Sequence, residues 1–256
     1  MTTTQRWALI TGGSSGLGLA CAKALAPEFD LALSFASNSD RASAEKDRLQ
    51  QAYPDRRVEL FQENLNGWES AHRLFGRACE TFGSAPAVLI NSAGRLRDGL
   101  YISEPFQTHE AMIQEHLVVP MALTQLAVKE MYREKWGRVV NVSSVSAKYF
   151  KRGQVSYAAV KSGIEGFSRC LALEVAHRGV TVNVLAPGLI ETPMTADMIR
   201  HLENEKLLRK KIPSGRAGRP DEVGSLVQYL CSEAAAYMTG TILTLDGGRS
   251  LGDASL

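Results

Sequence analysis

A short apolar run, Arg6-Trp7-Ala8-Leu9-Ile10, passes directly into Thr11-Gly12-Gly13-Ser14-Ser15-Gly16-Leu17-Gly18. That loop leads into the helical pattern Leu19-Ala20-Cys21-Ala22-Lys23-Ala24-Leu25. Strand, glycine loop and helix in that order open a βαβ unit, and few patterns constrain a chain so closely. Gly12 permits a tight turn, Gly16 lets backbone approach a pyrophosphate, and Gly18 lets helix pack on strand. The helix N-terminus adds unpaired N–H groups and the positive end of its dipole. Gly12, Ser14, Ser15, Gly16, Leu17 and Gly18 are therefore candidate dinucleotide-binding residues; the bland alternative is a merely flexible loop.

The rest of the chain repeats the rhythm. Apolar strand-like runs occur at 6–10, 30–35, 57–61, 87–90, 138–142, 180–185 and 240–245, and helical periodicity fills 17–27, 40–52, 67–82, 106–134, 155–178 and 219–236. Such alternation predicts an α/β fold, a Rossmann-like doubly wound parallel sheet flanked by helices. No repeat or linker divides residues 1–256, so a single domain is expected. A net charge of +2 points to neither nucleic acid nor membrane as partner. Cys21, Cys79, Cys170 and Cys231 lie far apart, without metal-ligand spacing, and three of them sit in apolar helical stretches as core thiols. Met1-Thr2-Thr3-Thr4-Gln5-Arg6 lacks an apolar signal region, and no apolar run approaches membrane-spanning length; a cytoplasmic protein is expected.

Chemistry is suggested by Ser143-Ser144-Val145-Ser146 and, further on, Tyr157-Ala158-Ala159-Val160-Lys161. Tyr157 and Lys161 share one helical face, one turn apart. An ammonium close to a phenol favours the phenolate and lowers its pKa, making a general acid useful near neutral pH. Ser144, ending a strand, can hold the oxygen of a carbonyl under reduction. A surface tyrosine beside a solvated lysine is the plainer reading of the same spacing.

Together these residues resemble the short-chain dehydrogenase/reductase family over nearly the whole chain. Thr11-Gly12-x-x-x-Gly16-x-Gly18 is similar to its cofactor loop, and Asn91-Ser92-Ala93-Gly94 to its Asn-Asn-Ala-Gly turn. Pro187-Gly188 with Ile190 and Thr192 resembles its nicotinamide segment, Asn64-Leu65 its adenine-contacting pair, and Asp246-Gly247-Gly248 its C-terminal turn. The resemblance implies that Ser144, Tyr157 and Lys161 are catalytic. It also implies that Asn64, Leu65, Asn91, Ala93, Gly94, Tyr157, Lys161, Pro187, Gly188, Ile190 and Thr192 contact the cofactor. Within the family, 183–195 and 216–223 are most similar to 3-oxoacyl-[acyl-carrier-protein] reductases. That implies reduction of a 3-oxoacyl thioester, bound to acyl carrier protein, by a homotetramer. Two alternatives stand: a ketoreductase of free small molecules, and a non-catalytic cofactor-binding subunit.

The cofactor is expected to be NADPH. An NAD enzyme usually ends its second strand on a carboxylate, where this chain has Phe35 and Ala36; Ser37, Asn38 and Arg41 can donate to a 2′-phosphate. Asp40 is expected to cap the next helix. The chain departs from the family at Glu115-His116-Leu117, where His116 replaces a catalytic asparagine. A neutral imidazole can keep a proton relay, titrating near pH 6 to 7, or be a packing residue. Residues 193–215 read as a substrate lid or a solvated helix. The loop Ala147-Lys148-Tyr149-Phe150-Lys151-Arg152-Gly153 reads as a carrier-docking rim, widened by Lys135 and Arg178, or as a solvated loop.

Overall fold

Strands read as unbroken apolar runs must be covered on both faces, because neither set of side chains can meet water. The computed structural model, which describes residues 5–204 and 206–251, has that arrangement. Seven parallel strands, β1 (Trp7–Ile10), β2 (Asp30–Phe35), β3 (Val58–Gln62), β4 (Val88–Asn91), β5 (Gly137–Val142), β6 (Val180–Pro187) and β7 (Ile242–Leu245), pair in the order β3-β2-β1-β4-β5-β6-β7. Side chains alternate between the two cores. Trp7, Leu9, Leu89, Val139 and Val182 face one, while Ala8, Ile10, Leu31, Ile90 and Val140 face the other.

The first core is closed by α3 (Trp68–Phe82), α5 (Val119–Glu134) and α6 (Val155–Val175), and the second by α1 (Gly16–Leu25), α2 (Ser39–Ala52) and α9 (Pro220–Cys231). Helices α1 and α9 approach so closely that a Cβ on Gly224 would lie 2.7 Å from the Ala20 carbonyl oxygen. Cys21 and Cys231 are core thiols, but Cys79 is half-buried and Cys170 exposed.

The single helix expected over 106–134 is wound in three parts: α4 (Phe106–Ile113), a π-turn at Gln114–Val118, and α5. Pro120 supplies the reason. It has no N–H for the His116 carbonyl, and its ring crowds that carbonyl, so the turn widens and Val119 N–H bonds back to Gln114. By length and composition Phe106–Glu134 could cross a membrane, with a mean hydropathy of 1.2 in its most apolar window, contrary to the expectation above. Half of that window is buried inside the fold, where Leu123, Ala127 and Met131 join the first core.

Between β6 and α9 lie α7 (Ala196–Asn204) and α8 (Leu208–Lys211). Ile199 and Leu202 of α7 form a small apolar cluster with Leu189, Ile212 and Ala217, and Leu208 of α8 packs against it. The expected stretch 193–215 therefore carries two helices; its residue 205 and the termini, 1–4 and 252–256, lie outside the described residues.

Candidate active site

Strand order reverses between β1 and β4, and a cavity of about 660 Å³ opens above the C-terminal strand ends there. Its floor is the glycine loop. Gly12 turns with φ +67°, and a Cβ on Gly18 would sit 2.3 Å from the Gly12 carbonyl oxygen. Thr11 Oγ1 accepts from the N–H groups of Ser92 and Ala93, both at 2.9 Å, tying the loops after β1 and β4 together. Ser15 caps α1 without a side-chain hydrogen bond, so the first-turn N–H groups remain for a ligand. These residues fit a dinucleotide phosphate: Gly12, Ser15, Gly16, Leu17 and Gly18 all line the cavity.

Ser144 follows β5 in extended backbone and caps a 3₁₀ turn, Val145–Ala147, its Oγ accepting from Ser146 N–H at 3.1 Å. Tyr157 and Lys161 enter from α6. Lys161 Nζ lies 5.6 Å from the Tyr157 ring centre and donates to the Val142 carbonyl at 2.8 Å. The two pKa values run opposite to the order the spacing suggests. Burial pushes the Tyr157 phenol up, opposed by the Ser144 hydroxyl beside it. Burial also pushes the Lys161 ammonium down to about 8, with the Glu115 carboxylate opposing. Lysine, not tyrosine, is the group that titrates first as pH rises.

His116 sits on the π-turn, 3 % exposed, edge-on to the Tyr157 ring at 5.6 Å between centroids. Its Nε2 bonds the Arg95 carbonyl at 3.0 Å, which makes Nε2 the protonated nitrogen. Nδ1 is buried without a partner among the described residues. Burial, then the nearby Lys161 charge, pushes the imidazole down to about 3. A titration at pH 6 to 7 is therefore not available to it, and a His116→Asn exchange should leave the pH–rate curve in place.

Ala93, Gly94, His116, Ser144, Tyr157, Lys161, Pro187, Gly188, Ile190 and Thr192 all reach the cavity. Other expected contacts do not form its wall. Ser14 is buried behind the loop. Asn91 is a structural tie: its Nδ2 donates to Asn141 Oδ1 at 2.7 Å and Thr124 Oγ1 at 3.1 Å. Leu65 belongs to the first core, and Asn64 Oδ1 accepts from Arg95 at 3.4 Å. Ser37 and Arg41 lie exposed beyond the end of β2. Asn38, rather than Asp40, caps α2, its Oδ1 accepting from Arg41 N–H at 2.9 Å. Arg95 and Arg249 line the cavity without having been expected, while Met198 does so from within the expected lid. For Arg95 the only signal was its place directly after the Asn91–Gly94 turn.

The family described as Enoyl-(Acyl carrier protein) reductase matches residues 12–250. A 3-oxoacyl-[acyl-carrier-protein] reductase FabG of Aquifex aeolicus is 34% identical over 240 residues, covering 94% of this chain and 95% of that protein. An acetoacetyl-CoA reductase of Cupriavidus necator is 34% identical, covering 97% of this chain and 100% of the relative. Among solved structures, a 3-oxoacyl (acyl-carrier-protein) reductase from Agrobacterium tumefaciens with NADP bound superposes with a TM-score of 0.87. It is 27% identical and covers 94% of this chain and 93% of that one.

Proposed function

Because the chain belongs to the short-chain dehydrogenase/reductase family, we propose that Ser144, Tyr157 and Lys161 carry out its reaction on a carrier-bound thioester. The chain is an NADP(H)-dependent oxidoreductase that reduces a 3-oxoacyl substrate to the 3-hydroxyacyl product. What carries the reading is the convergence of that trio with the glycine loop on one cavity.

When bound in this cavity, reduced nicotinamide would supply the hydride. Ser144 Oγ and the Tyr157 phenol meet the substrate oxygen, where negative charge develops, and Tyr157 gives it a proton. Lys161, held by the Val142 carbonyl, sets an ammonium 5.6 Å from the Tyr157 ring centre and would be available to the nicotinamide ribose. Backbone N–H groups of the loop and of the α1 N-terminus would hold the cofactor's phosphates. Met194 and Met198 line the cavity, which supports 193–215 as its lid.

The carrier reading gains from the rim, where Tyr149 and Phe150 are exposed and also line the cavity. Its charge is smaller than expected: Asp98 engages Lys151 at 2.9 Å, and Lys135 and Arg178 precede β5 and β6, at the strand ends away from the cavity, which leaves Lys148 and Arg152 to face an acidic partner. NADPH oxidation with acetoacetyl thioesters, carrier-bound and free, beside simple ketones tests the assignment. Turnover of simple ketones alone would favour the small-molecule alternative, and no turnover at all would favour a non-catalytic subunit.

The site also sets an expected pH profile. The Lys161 ammonium is present below a pKa of about 8 and lost above it, while Tyr157 stays protonated. Reduction, measured as kcat/KM, should fall across that pH. Glu115→Gln removes a charge that favours the ammonium, so the fall should move to lower pH; an unmoved or upward-moved curve would count against Lys161.

A cytoplasmic homotetramer is the assembly we favour. Ile113, Met121 and Leu173 stand exposed on α4, α5 and α6, and Leu173 is 84% exposed, more apolar surface than covering the sheet requires. A monomeric mass in light scattering at micromolar concentration would reject the assembly.

A further inference from the structure

Ser144 sits on a turn that is fixed from outside the catalytic trio. Ser146, whose N–H bonds Ser144 Oγ, donates its own hydroxyl to Gln154 Oε1 at 3.0 Å. Gln154 Nε2 donates to Asp98 Oδ1 at 2.8 Å, and Lys151 Nζ holds Asp98 Oδ2 at 2.9 Å. Gln154 is 6% exposed, caps α6, and stands three residues ahead of Tyr157. A backbone bond from Gly99 N–H to the Gly153 carbonyl, 2.9 Å, runs beside this chain of side chains.

The amide is matched at both ends: the Ser146 hydroxyl needs an acceptor, and the Asp98 carboxylate needs a donor. A buried amide so bonded holds its neighbours in one arrangement, because losing either partner strands a polar group. Asp98 is also near enough to Tyr157 for its charge to push the phenol pKa up.

We propose that Asp98 and Gln154 are positioning residues for the reduction. They latch the segment after β4 onto the turn that carries Ser144, and so align that hydroxyl with the start of the Tyr157 helix. The inference rests on the reading that Ser144 and Tyr157 perform the chemistry.

A reciprocal exchange tests it. Gln154→Glu sets two carboxylates against each other, and Asp98→Asn cannot satisfy both Gln154 Nε2 and Lys151. Combined, they restore every bond with the donor between positions 98 and 154 reversed and the charge count unchanged. With acetoacetyl-CoA and NADPH, each single variant of the full chain should lose about 10- to 100-fold in kcat, the scale of a misplaced reacting group. KM and NADPH affinity, the latter by fluorescence titration, should change little, and the double variant should regain most of kcat. Single variants with wild-type kcat would overturn the latch. So would a double variant that melts like wild type in circular dichroism yet stays as slow as the worse single. Wild-type protein inactive on all ketones would instead sink the reading of the site, and the latch with it.

Discussion

Tyr157→Phe should lower ketone reduction by about 10³-fold or more, at the upper end of what a positioned acid contributes, while NADPH binding stays within a few-fold. The ring fills the same space and keeps its edge-on contact with His116. Only the proton donor is lost, and no neighbour replaces it well. Ser144 is a far weaker acid, and Lys161 Nζ is held at the Val142 carbonyl, 5.6 Å from the Tyr157 ring centre, rather than at the phenol oxygen. Turnover followed by NADPH oxidation, with fluorescence titration of the cofactor, separates the two effects. Activity within about tenfold of wild type, well short of a lost general acid, would refute the role of Tyr157.

Gly18→Ala should weaken cofactor binding itself. The added Cβ would lie 2.3 Å from the Gly12 carbonyl oxygen, 2.7 Å from its carbon and 3.1 Å from the Gly13 nitrogen. All three are backbone atoms of the phosphate loop, so no rotamer change relieves the clash. Loop and helix must separate, at a cost of about 1–3 kcal/mol for overpacking, and the N–H groups leave their register. NADPH affinity should fall at least about 100-fold, roughly 2.7 kcal/mol, with a lowered Tm. Gly76→Ala is the control: nothing lies within 4 Å of its added Cβ in α3, and it should be neutral or stabilising. Equal NADPH affinity in the two variants would show that the loop does not hold the phosphates.

The parts of this protein legible in its sequence were those encoded locally. The glycine loop, the strand and helix alternation and the one-turn spacing of Tyr157 and Lys161 each lie within a few consecutive residues. What was misread depends on surroundings. The spacing suggests a tyrosine pKa set by the Lys161 charge, but burial raises it, Asp98 adds to the rise, and the Ser144 hydroxyl is what opposes it. His116 was given a solution-like titration, which its enclosure against Arg95 and Lys161 removes. Asn91 was placed on the cofactor because its motif borders the site, yet its amide faces inward to Asn141 and Thr124. Asp98 and Gln154 lie 56 residues apart, and nothing local joins them. The π-turn is the opposite case, since Pro120 announces it in the sequence.

That turn has a consequence for how the chain tolerates change in length. A π-turn holds one residue more than a regular turn, so α4 and α5 are wound out of phase by about 100°. The phase difference is what lets α4 bury His109 and Met112 while α5 buries Leu123 and Ala127. Deleting one residue within 114–118 would restore an even winding and keep the faces of α4 and α5 as they are, because the wide turn already absorbs that residue. Rewinding all five as regular helix would instead rotate α4 by about 100°, swinging His109 and Met112 toward solvent and carrying the exposed Phe106 round with them. The residue count across these five positions can therefore fall by one while the two helices keep their packing.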